Sequence, residues 1–451
     1  MTEKKHVLIK NALILTMNPR KDVFYGGSIL IEDGIILKVQ PGEISLPAGD
    51  IQVLDARGGI VMPGMINSHT HLGMSFFRSL ADDQKDRLRR VLFPLEKAVV
   101  TDDLVYWASL HSYTEMIQGG VTTLFDMYYF EDAVARAARK AGVRSILGET
   151  VVYFPAPDSP REYGGIGYAR EFIQQWKHQD LITPAIAPHA PYTVDGDHMK
   201  ECYELACREE VPMTLHLSEM PFEMEHFQKD YGMSPIAYLD DLGVLDSRVV
   251  AAHCIFTDDP DRQILKKRGV GVAHNMVANI KGAKGVAAIP EMLELGIPVG
   301  LGSDGPMSGN TQDVISLMGY TTKFHKFTRL DPQAMPPESV VEMATIGGAR
   351  ALHIADRVGS LEIGKEADIV IMDHSSPSMF PVYDPYSVLV YGASPRDVDT
   401  VLVKGRILME HREILHLDIP EIRGKGQEYF EKVCSLPALK DLGLKIIRPE
   451  N

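Results

Sequence analysis

Histidine and carboxylate side chains recur in this chain in short motifs, each directly after an apolar run. The first motif is His69-Thr70-His71, which follows the apolar residues 59–62 and the turn-forming pair Pro63-Gly64. Side chains two residues apart in extended backbone point the same way, so these two imidazoles can bind one metal ion. A histidine pair alone is more often two surface residues after a turn. The later motifs are what favour a metal site.

Seven further polar groups follow later apolar runs. In a parallel barrel the carboxyl ends of all strands meet at one rim, where the functional residues of that fold lie. We therefore expect side chains that follow different strands to share one site. In chain order these groups are Asp126, Glu149, His189, His216 with Glu219, His253, His274 with Asn275, and Asp304.

Four of these residues have the donor atoms of a metal site. His69, His71 and His216 offer three imidazole nitrogens, and Asp304 adds a carboxylate oxygen. This set suits one divalent ion, Zn²⁺ first, with an open position for water; Fe²⁺ or Mn²⁺ would also be tolerated. Such an ion lowers the pKa of water from 15.7 towards about 7 and makes it reactive at neutral pH.

Proton transfer needs groups beside the metal. Glu219 lies three residues after His216, a spacing that could bring its carboxylate into the same pocket to carry a proton to a leaving nitrogen. A solvated loop glutamate is the alternative. Asp304, flanked by small residues, can bind the metal and also accept the proton of water. His253 ends an apolar strand and could hydrogen-bond the attacking water. The predicted catalytic residues are thus Glu219, His253 and Asp304.

The elements that must position these residues alternate between strand-like apolar runs and helical stretches. That alternation is typical of a parallel sheet with helices outside, and about eight strands close a (β/α)₈ barrel. The predicted strands span residues 60–62, 121–125, 143–147, 182–187, 212–217, 249–252, 271–273 and 299–301. The predicted helices span residues 103–118, 131–141, 197–209, 260–268 and 289–295, with Asp102 capping the first and Gly142 ending the second.

Both ends of the chain have β character instead. Short strands separated by turns run through residues 6–58, and strand-and-turn segments return at 364–373 and 398–406. We expect the two ends to build one β-sandwich domain that is discontinuous in sequence. The predicted division is residues 1–59 and 358–420 for the β-sandwich domain, 60–357 for the metal-binding barrel, and 421–451 for a C-terminal helix and tail.

Composition and charge indicate an ordinary globular protein and argue against nucleic-acid and membrane partners. The chain has 451 residues, of which 45% are hydrophobic and 24% charged, as in an ordinary globular protein with a barrel and a smaller domain. Its net charge of −15 argues against nucleic acid and anionic membranes as partners. The start of the chain has no signal-peptide pattern, and no apolar run is long enough to span a membrane. We expect a cytoplasmic protein with a small-molecule substrate.

The combined motifs resemble the aminohydrolase branch of the amidohydrolase superfamily over nearly the whole chain. Within that branch the chain is similar to the 5-methylthioadenosine/S-adenosylhomocysteine deaminases and to the triazine hydrolases, meaning atrazine chlorohydrolase and melamine deaminase. The segments that carry the resemblance are residues 62–71, 188–193, 216–219, 252–254, 302–305, 343–352 and 359–368.

The resemblance implies a (β/α)₈ barrel with a flanking β-sandwich and one divalent metal ion. It implies a homo-oligomer, a dimer or tetramer, because family members commonly form these. It implies Glu219 and Asp304 as proton carriers, with His253 beside the water. The ligands that it implies are His69, His71, His216 and Asp304.

The resemblance is weaker at the positions expected to contact the substrate. Glu96 resembles the glutamate that holds ribose hydroxyls in nucleoside deaminases, although an ordinary helix-start glutamate gives the same pattern. His189 matches a substrate-contacting histidine. Where homocysteine-accepting deaminases are expected to have an arginine, this chain has Glu149, which attracts amine donors and argues against S-adenosylhomocysteine as the main substrate. Met276 and Ala278 replace an expected proline and serine, which predicts a reshaped pocket wall.

Three functions follow from these residues. The first is a metal-dependent deaminase that releases ammonia from an amino-substituted N-heterocycle, with Glu219 contacting the ring as it protonates a ring nitrogen. An adenine-type nucleoside such as 5-methylthioadenosine, 5-deoxyadenosine or adenosine fits best. The second is the same machinery acting on a free base or pterin, or displacing chloride or an amine from a triazine. The third, a non-catalytic binding module, is disfavoured by the complete set of ligands and proton carriers.

Overall fold

The computed structural model describes residues 6–45 and 51–436, and its strands form two separate sheets. The first strands along the chain are β1 (His6–Leu15), β2 (Val23–Glu32), β3 (Ile35–Pro41), β4 (Ile51–Asp55) and β5 (Ile60–Pro63). The central strands are β6 (Met65–Thr70), β7 (Val121–Tyr128), β8 (Arg144–Val151), β9 (Ile182–Pro188), β10 (Met213–Leu217), β11 (Val249–His253), β12 (Gly271–His274) and β13 (Val299–Leu301). The last strands are β14 (Ile369–Met372), β15 (Val398–Val403), β16 (Arg406–Glu410) and β17 (Glu413–Ile414).

Strands β6 to β13 form the barrel sheet. They pair in chain order, and every pairing between neighbours is parallel. A parallel bridge between Thr70 and Asp304 brings the two edge strands together and closes the ring. These strands are almost wholly buried, as expected when side chains fill the interior and helices cover the outside. The predicted fold class is confirmed.

The first barrel strand lies later in the chain than its predicted position. Residues 60–62 were expected to open the barrel, but β5 pairs with β1 and β14 in the other sheet. The barrel opens with β6, two residues further on. Gly64 between them is tightly enclosed, because a Cβ built there would lie 2.1 Å from Thr122 Oγ1. The prediction for residues 60–62 is therefore wrong about the sheet, although right about a buried strand.

The helices occupy the connections between strands, and all five predicted helices are present. Thr101, not Asp102, caps α2, since its side chain accepts from Leu104 N, while Gly142 ends α3 in the left-handed region as predicted. None of the described helices is long and apolar enough to cross a membrane. The helices are α1 (Phe93–Val99), α2 (Asp102–Gln118), α3 (Glu131–Ala141), α4 (Gly165–Trp176), α5 (Gly196–Glu209), α6 (Pro221–Tyr231), α7 (Pro235–Asp241), α8 (Asp259–Arg268), α9 (Met276–Lys281), α10 (Ile289–Glu294), α11 (Val314–Arg329), α12 (Pro337–Ala344), α13 (Ile346–Ala351), α14 (Pro385–Tyr391) and α15 (Ile419–Cys434).

The second sheet joins both ends of the chain, as predicted. Its nine strands run in the order β17-β16-β15-β14-β5-β1-β2-β3, with β4 paired to β1. Ile36 N donates to Lys365 O and Ala367 N donates to Gly34 O, so the β3 end returns towards the segment before β14. The sheet thereby encloses its own apolar core, in which Ile9, Ile369 and Leu402 are buried. The exact domain limits stay a prediction, and the predicted tail beyond residue 436 lies outside the described residues.

A buried ion-pair network joins the barrel to this flanking sheet. Arg144, at the start of β8, donates to both carboxylate oxygens of Asp368 and to Glu366, all on the segment before β14. Asp368 also accepts from Lys404 N. Bidentate pairs of this kind hold a fixed geometry, so they set the position of the flanking sheet at the end of the barrel opposite the site.

Candidate active site

Four side chains converge at the carboxyl-terminal rim of the barrel. His69 belongs to β6 and His71 follows it directly, while His216 lies in β10 and Asp304 three residues after β13. One donor atom from each lies within 4.8 Å of the donor atoms of the other three. His71 Nε2 is 3.1 Å from Asp304 Oδ1 and 3.4 Å from His216 Nε2. The predicted ligand residues are therefore brought together.

The hydrogen bonds of the imidazoles leave their other nitrogens available for a metal ion. His71 Nδ1 contacts Met127 O, and His216 Nδ1 donates to His189 O at 2.9 Å. Because a carbonyl only accepts, Nδ1 carries the hydrogen and Nε2 faces the cluster with its lone pair. His69 Nε2 is buried without a hydrogen-bond partner in the described structure. An orphaned nitrogen among three other donors fits a bound metal ion.

Burial and charge set the protonation of each residue in this cluster. Burial lowers the pKa of His69 and of His216 well below its usual value, so both imidazoles are neutral. Burial raises the pKa of Asp304, but the hydrogen bond and charge of His71 outweigh it, and the pKa falls well below its usual value. Burial lowers the pKa of His71, but the same pairing with Asp304 outweighs it and raises that pKa, so His71 must release any proton on Nε2 when a cation binds. The neutral imidazoles and the ionised Asp304 attract a cation.

Glu219 and His253 lie side by side next to the cluster. His253 Nε2 is 3.4 Å from Glu219 Oε1, and His253 Nδ1 is 2.7 Å from Asn279 Oδ1. Glu223 holds the turn that carries Glu219, because its carboxylate accepts from Ser218 N at 3.0 Å and from Glu219 N at 2.8 Å. Hydrogen bonds outside the metal cluster thus hold both predicted proton-handling residues, through Glu223 for the turn of Glu219 and through Asn279 for the ring of His253.

A cavity opens over the cluster, and its lining includes several of the predicted substrate-side residues. His71, His189, His216, Glu219 and Asp304 border it at the bottom. Its walls come largely from the segment between β6 and α2, which includes a π-helical turn at Leu88–Leu92. Aromatic rings contribute much of the rest, namely Phe93, Tyr128, Tyr129, Tyr192 and Phe222.

Glu96 reaches this cavity from α1 and is almost completely buried. Tyr128 OH donates to its Oε1 at 2.9 Å. Burial raises the pKa of Glu96 to about 7, only partly countered by that hydrogen bond. His189 lines the same cavity, with Nδ1 2.9 Å from Thr193 Oγ1, and burial lowers its pKa to about 4. Both predicted substrate contacts therefore line the cavity.

Comparison with known proteins agrees with this geometry. The model of the amidohydrolase family matches residues 60–408, which is most of the chain. The chain belongs to the amidohydrolase family. It is 41% identical over 424 residues to a 5-methylthioadenosine/S-adenosylhomocysteine deaminase of Syntrophobacter fumaroxidans, covering 93% of this chain and 97% of the relative. A 5-methylthioadenosine/S-adenosylhomocysteine deaminase of Syntrophus aciditrophicus is 37% identical, covering 90% and 96%.

Solved structures resemble this amidohydrolase over almost its full length. A zinc-bound adenosine deaminase from Xanthomonas campestris superimposes with a TM-score of 0.92 at 29% identity, covering 95% of this chain and 99% of that one. The zinc complex of atrazine chlorohydrolase TrzN from Arthrobacter aurescens gives a TM-score of 0.87 at 22% identity, covering 94% and 100%. At that identity the second likeness shows the shared fold alone.

Glu149 is the predicted substrate contact that the amidohydrolase does not bring to its cavity. The strand β8 runs to Val151, four residues beyond its predicted end, so Glu149 lies inside the strand and not after it. Because strand side chains alternate, Thr150 lines the cavity and Glu149 faces the other way. Glu149 Oε2 accepts from Glu131 N at 3.2 Å, and burial raises its pKa well above the usual value. The expectation of a substrate contact at Glu149 is corrected accordingly.

Lys284 is a cavity residue that the sequence analysis missed. Its ammonium forms an ion pair with Glu219 Oε1, and its side chain is 18% exposed. It follows the segment 274–279, and neither Met276 nor Ala278, which were expected to reshape the pocket wall, is among the residues that line the cavity. Asn279, five residues before Lys284, contacts the ring of His253 through its Oδ1.

Proposed function

We propose that this amidohydrolase is a metal-dependent aminohydrolase that releases ammonia from an adenine-type nucleoside such as 5-methylthioadenosine, 5-deoxyadenosine or adenosine. The observation that carries the proposal is the convergence of the metal-binding cluster, Glu219 and Glu96 on one cavity. The names of its relatives, two 5-methylthioadenosine/S-adenosylhomocysteine deaminases and an adenosine deaminase, support the same reaction on a cyclic amidine.

The proposed metal ligands are His69, His71, His216 and Asp304. Neutral imidazoles and one carboxylate suit Zn²⁺, which we propose as the native ion, and the same donors would accept Fe²⁺ or Mn²⁺. When bound, the ion lowers the pKa of a water molecule from 15.7 towards about 7. The zinc named for the adenosine deaminase neighbour supports this choice.

Glu219 is the proposed proton carrier. Burial raises its pKa, but the charges of His253 and Lys284 outweigh burial and lower it to about 2. The carboxylate is therefore ionised at neutral pH and accepts a proton before it can give one. In the proposed reaction, Glu219 takes a proton from water and passes it to the ring nitrogen next to the carbon that loses its amine.

Asp304 and His253 complete the proposed proton handling. Asp304 Oδ1 is held by Gly305 N at 2.7 Å and can accept the remaining proton of water and pass it to the departing ammonia. His253 Nε2, fixed through Nδ1 by Asn279, faces the position of the attacking water beside Glu219. Because Nδ1 donates to Asn279 Oδ1, Nε2 is a donor only in the imidazolium form, and in that form it would stabilise charge that develops on oxygen as water adds to the ring.

The proposed substrate contacts are Glu96, His189 and Glu219. A carboxylate accepts two hydroxyl hydrogen bonds, so Glu96 suits the vicinal hydroxyls of a ribose. His189 borders the cavity next to His216, where it can contact the ring. We further propose a cytoplasmic homo-oligomer, a dimer or tetramer, that acts on a small molecule and binds neither nucleic acid nor membrane; the net charge of −15 supports the last point.

An ammonia-release screen tests this function. The zinc-loaded protein is assayed with adenosine, 5-methylthioadenosine and 5-deoxyadenosine, and in parallel with adenine, a pterin, melamine and atrazine. Release from the nucleosides at a kcat/KM at least ten times that for adenine supports the proposal. Ammonia release only from a free base or a pterin would favour a deaminase of those compounds instead. Chloride release from atrazine would favour a triazine hydrolase. No release from any nucleoside refutes the proposal.

The matched variants for this screen lie a few residues apart. Glu219→Gln removes the proposed proton carrier, while Glu225→Gln makes the same chemical change at an exposed position of α6. Metal content is measured for both, so that loss of zinc cannot be mistaken for loss of proton transfer.

A further inference from the structure

Lys284 is placed in the cavity by its local backbone. It follows α9 by three residues, and its N–H donates to Asn279 O at 2.9 Å in the turn that ends this helix. Its aliphatic stem lies over Gly282, where an added Cβ would be 2.9 Å from Lys284 Cε. A side chain at position 282 would displace the stem. Because Gly282 leaves room for the stem, the turn can direct the Lys284 ammonium towards Glu219.

The ammonium of Lys284 has donors to spare. A lysine ammonium has three N–H donors, and in the described structure Glu219 Oε1 is its one hydrogen-bond acceptor. Two donors therefore remain for a bound molecule. Leaving them unpaired in a cavity filled by substrate would be unfavourable, because a buried charged donor loses its water.

Other cationic side chains around the cavity are engaged by the protein itself. Lys281 Nζ is 2.6 Å from Asp82 Oδ1, and Arg87 donates to Met307 O at 2.7 Å. Arg89 lies over the ring of Phe222, 4.8 Å from its centroid. Lys284 differs from them because its partner is the proposed proton carrier.

We propose that Lys284 is a specificity-determining residue, whose ammonium donates a hydrogen bond to an oxo oxygen on the ring carbon adjacent to the nitrogen that Glu219 protonates. The inference rests on the proposed function and specifies the ring that the site prefers. Glu219 serves the ring nitrogen next to the carbon that loses its amine, and Lys284 is paired with the same carboxylate. We place its free donors beside the next ring position along that edge.

The chemical class that fits is a 2-oxo-6-aminopurine. Adenine has only a C–H group at that position, which cannot accept a hydrogen bond. A hydrogen bond from a charged donor corresponds to roughly 10- to 100-fold in binding. We therefore expect kcat/KM for the oxo-substituted ring to exceed that for the adenine ring by about that factor.

The test compares two substrate pairs that differ only in this oxygen, adenosine with isoguanosine and adenine with isoguanine. Ammonia release is measured for the wild-type protein, Lys284→Met and Lys284→Arg. Lys267→Met is the matched control, because Lys267 is exposed on α8. The ratio of kcat/KM within a pair is the readout, since losing the Glu219 ion pair slows both members alike.

The expected result is an oxo preference of at least tenfold in the wild-type and Lys267→Met proteins. Lys284→Met should abolish the preference, mainly through KM, and Lys284→Arg should keep part of it because arginine retains donors. Equal efficiency for both rings in the wild type, or an unchanged ratio in Lys284→Met, overturns the inference while ammonia release still supports the deaminase. Should Lys284→Met fail to fold, the wild-type ratio decides alone. Release from none of the four compounds overturns the proposed function and this inference together.

Discussion

Glu96→Gln should stabilise the protein at alkaline pH while weakening nucleoside binding. Glu96 is a buried carboxyl whose pKa burial raises from its usual 4.5 to about 7. Glutamine keeps the size of the side chain and an oxygen that accepts from Tyr128 OH, but it never ionises. The substitution therefore removes the energetic cost of a buried negative charge without leaving a cavity.

The sign and size follow from proton linkage. Between pH 4.5 and about 7 the folded protein keeps a proton on Glu96 that the unfolded chain has lost, so this residue's contribution to stability declines as pH rises and is fully lost above pH 7. Each pKa unit corresponds to 1.36 kcal/mol, so the rise from 4.5 to about 7 amounts to about 3 kcal/mol. The variant should exceed the wild type by about 1 kcal/mol at pH 5 and about 3 kcal/mol at pH 8.

Urea unfolding of the zinc-loaded proteins at pH 5 and pH 8 measures this difference. Glu171→Gln is the control, because Glu171 is exposed on α4 and should change neither value. In the same preparations, KM for adenosine should rise about tenfold or more while KM for adenine stays within a factor of three, since the free base lacks the ribose. A stability gain that does not grow between the two pH values would refute the argument from burial.

Three further variants test other parts of the molecule. Glu219→Gln should keep its zinc and lose roughly 10²- to 10⁴-fold in kcat, with Glu225→Gln unchanged; normal turnover would remove Glu219 from the reaction. His216→Ala should lose zinc, measured by elemental analysis, together with activity, and zinc binding at wild-type affinity would contradict the ligand assignment. Arg144→Met should lower the free energy of unfolding by about 3–5 kcal/mol, because it leaves the buried carboxylate of Asp368 unpaired, and a change below 1 kcal/mol would show that the network contributes little.

The clustering of the proposed ligand residues could be predicted because residues that follow different strands of a parallel barrel meet at the same rim. A residue just after a barrel strand lies at the rim whichever strand precedes it. His69, His216 and Asp304 therefore converge from segments more than 80 residues apart in the chain, with no need to know the angles between strands. The same rule placed Glu219 and His253 correctly beside them.

The errors arose where that rule needs the strand ends to be known. An apolar run shows that a strand is buried but not which sheet it joins, so residues 60–62 were placed in the barrel although they pair with both ends of the chain. At β8 the strand continues past its apolar core through Glu149 to Val151. A polar residue inside a strand then looks like a residue after it. Because side chains alternate along a strand, the neighbours Glu149 and Thr150 face opposite ways. Thr150 therefore faces the cavity and Glu149 does not.

Lys284 could not have been predicted from strand ends, because it lies ten residues after β12 on a turn beyond α9. Its role depends on Gly282 making room for its stem and on the turn closed by Asn279 O. Neither feature has a periodicity that a sequence pattern reveals.

Backbone strain explains why so much of the fold is needed to build this site. Ser218, His253 and Asp304 all have left-handed backbone conformations, with φ of 51°, 73° and 59°, although none is glycine. Such conformations cost of order 1–3 kcal/mol each, so they persist only where neighbouring groups hold them. Each strained residue here has such a neighbour. Glu223 accepts from Ser218 N, Asn279 anchors the ring of His253, and Asp304 N donates to His69 O at 3.1 Å.

The left-handed backbone conformations also help to direct side chains into the site. A left-handed residue at the end of a strand turns the chain sharply, so the side chain beside it can point into the barrel mouth while the backbone leaves for the next helix. His253 and Asp304 are themselves such residues, and Ser218 directly precedes Glu219. The local sequence thus determines which side chains are available at the rim. The closed barrel determines how they are spaced, because it holds the three unfavourable turns in place.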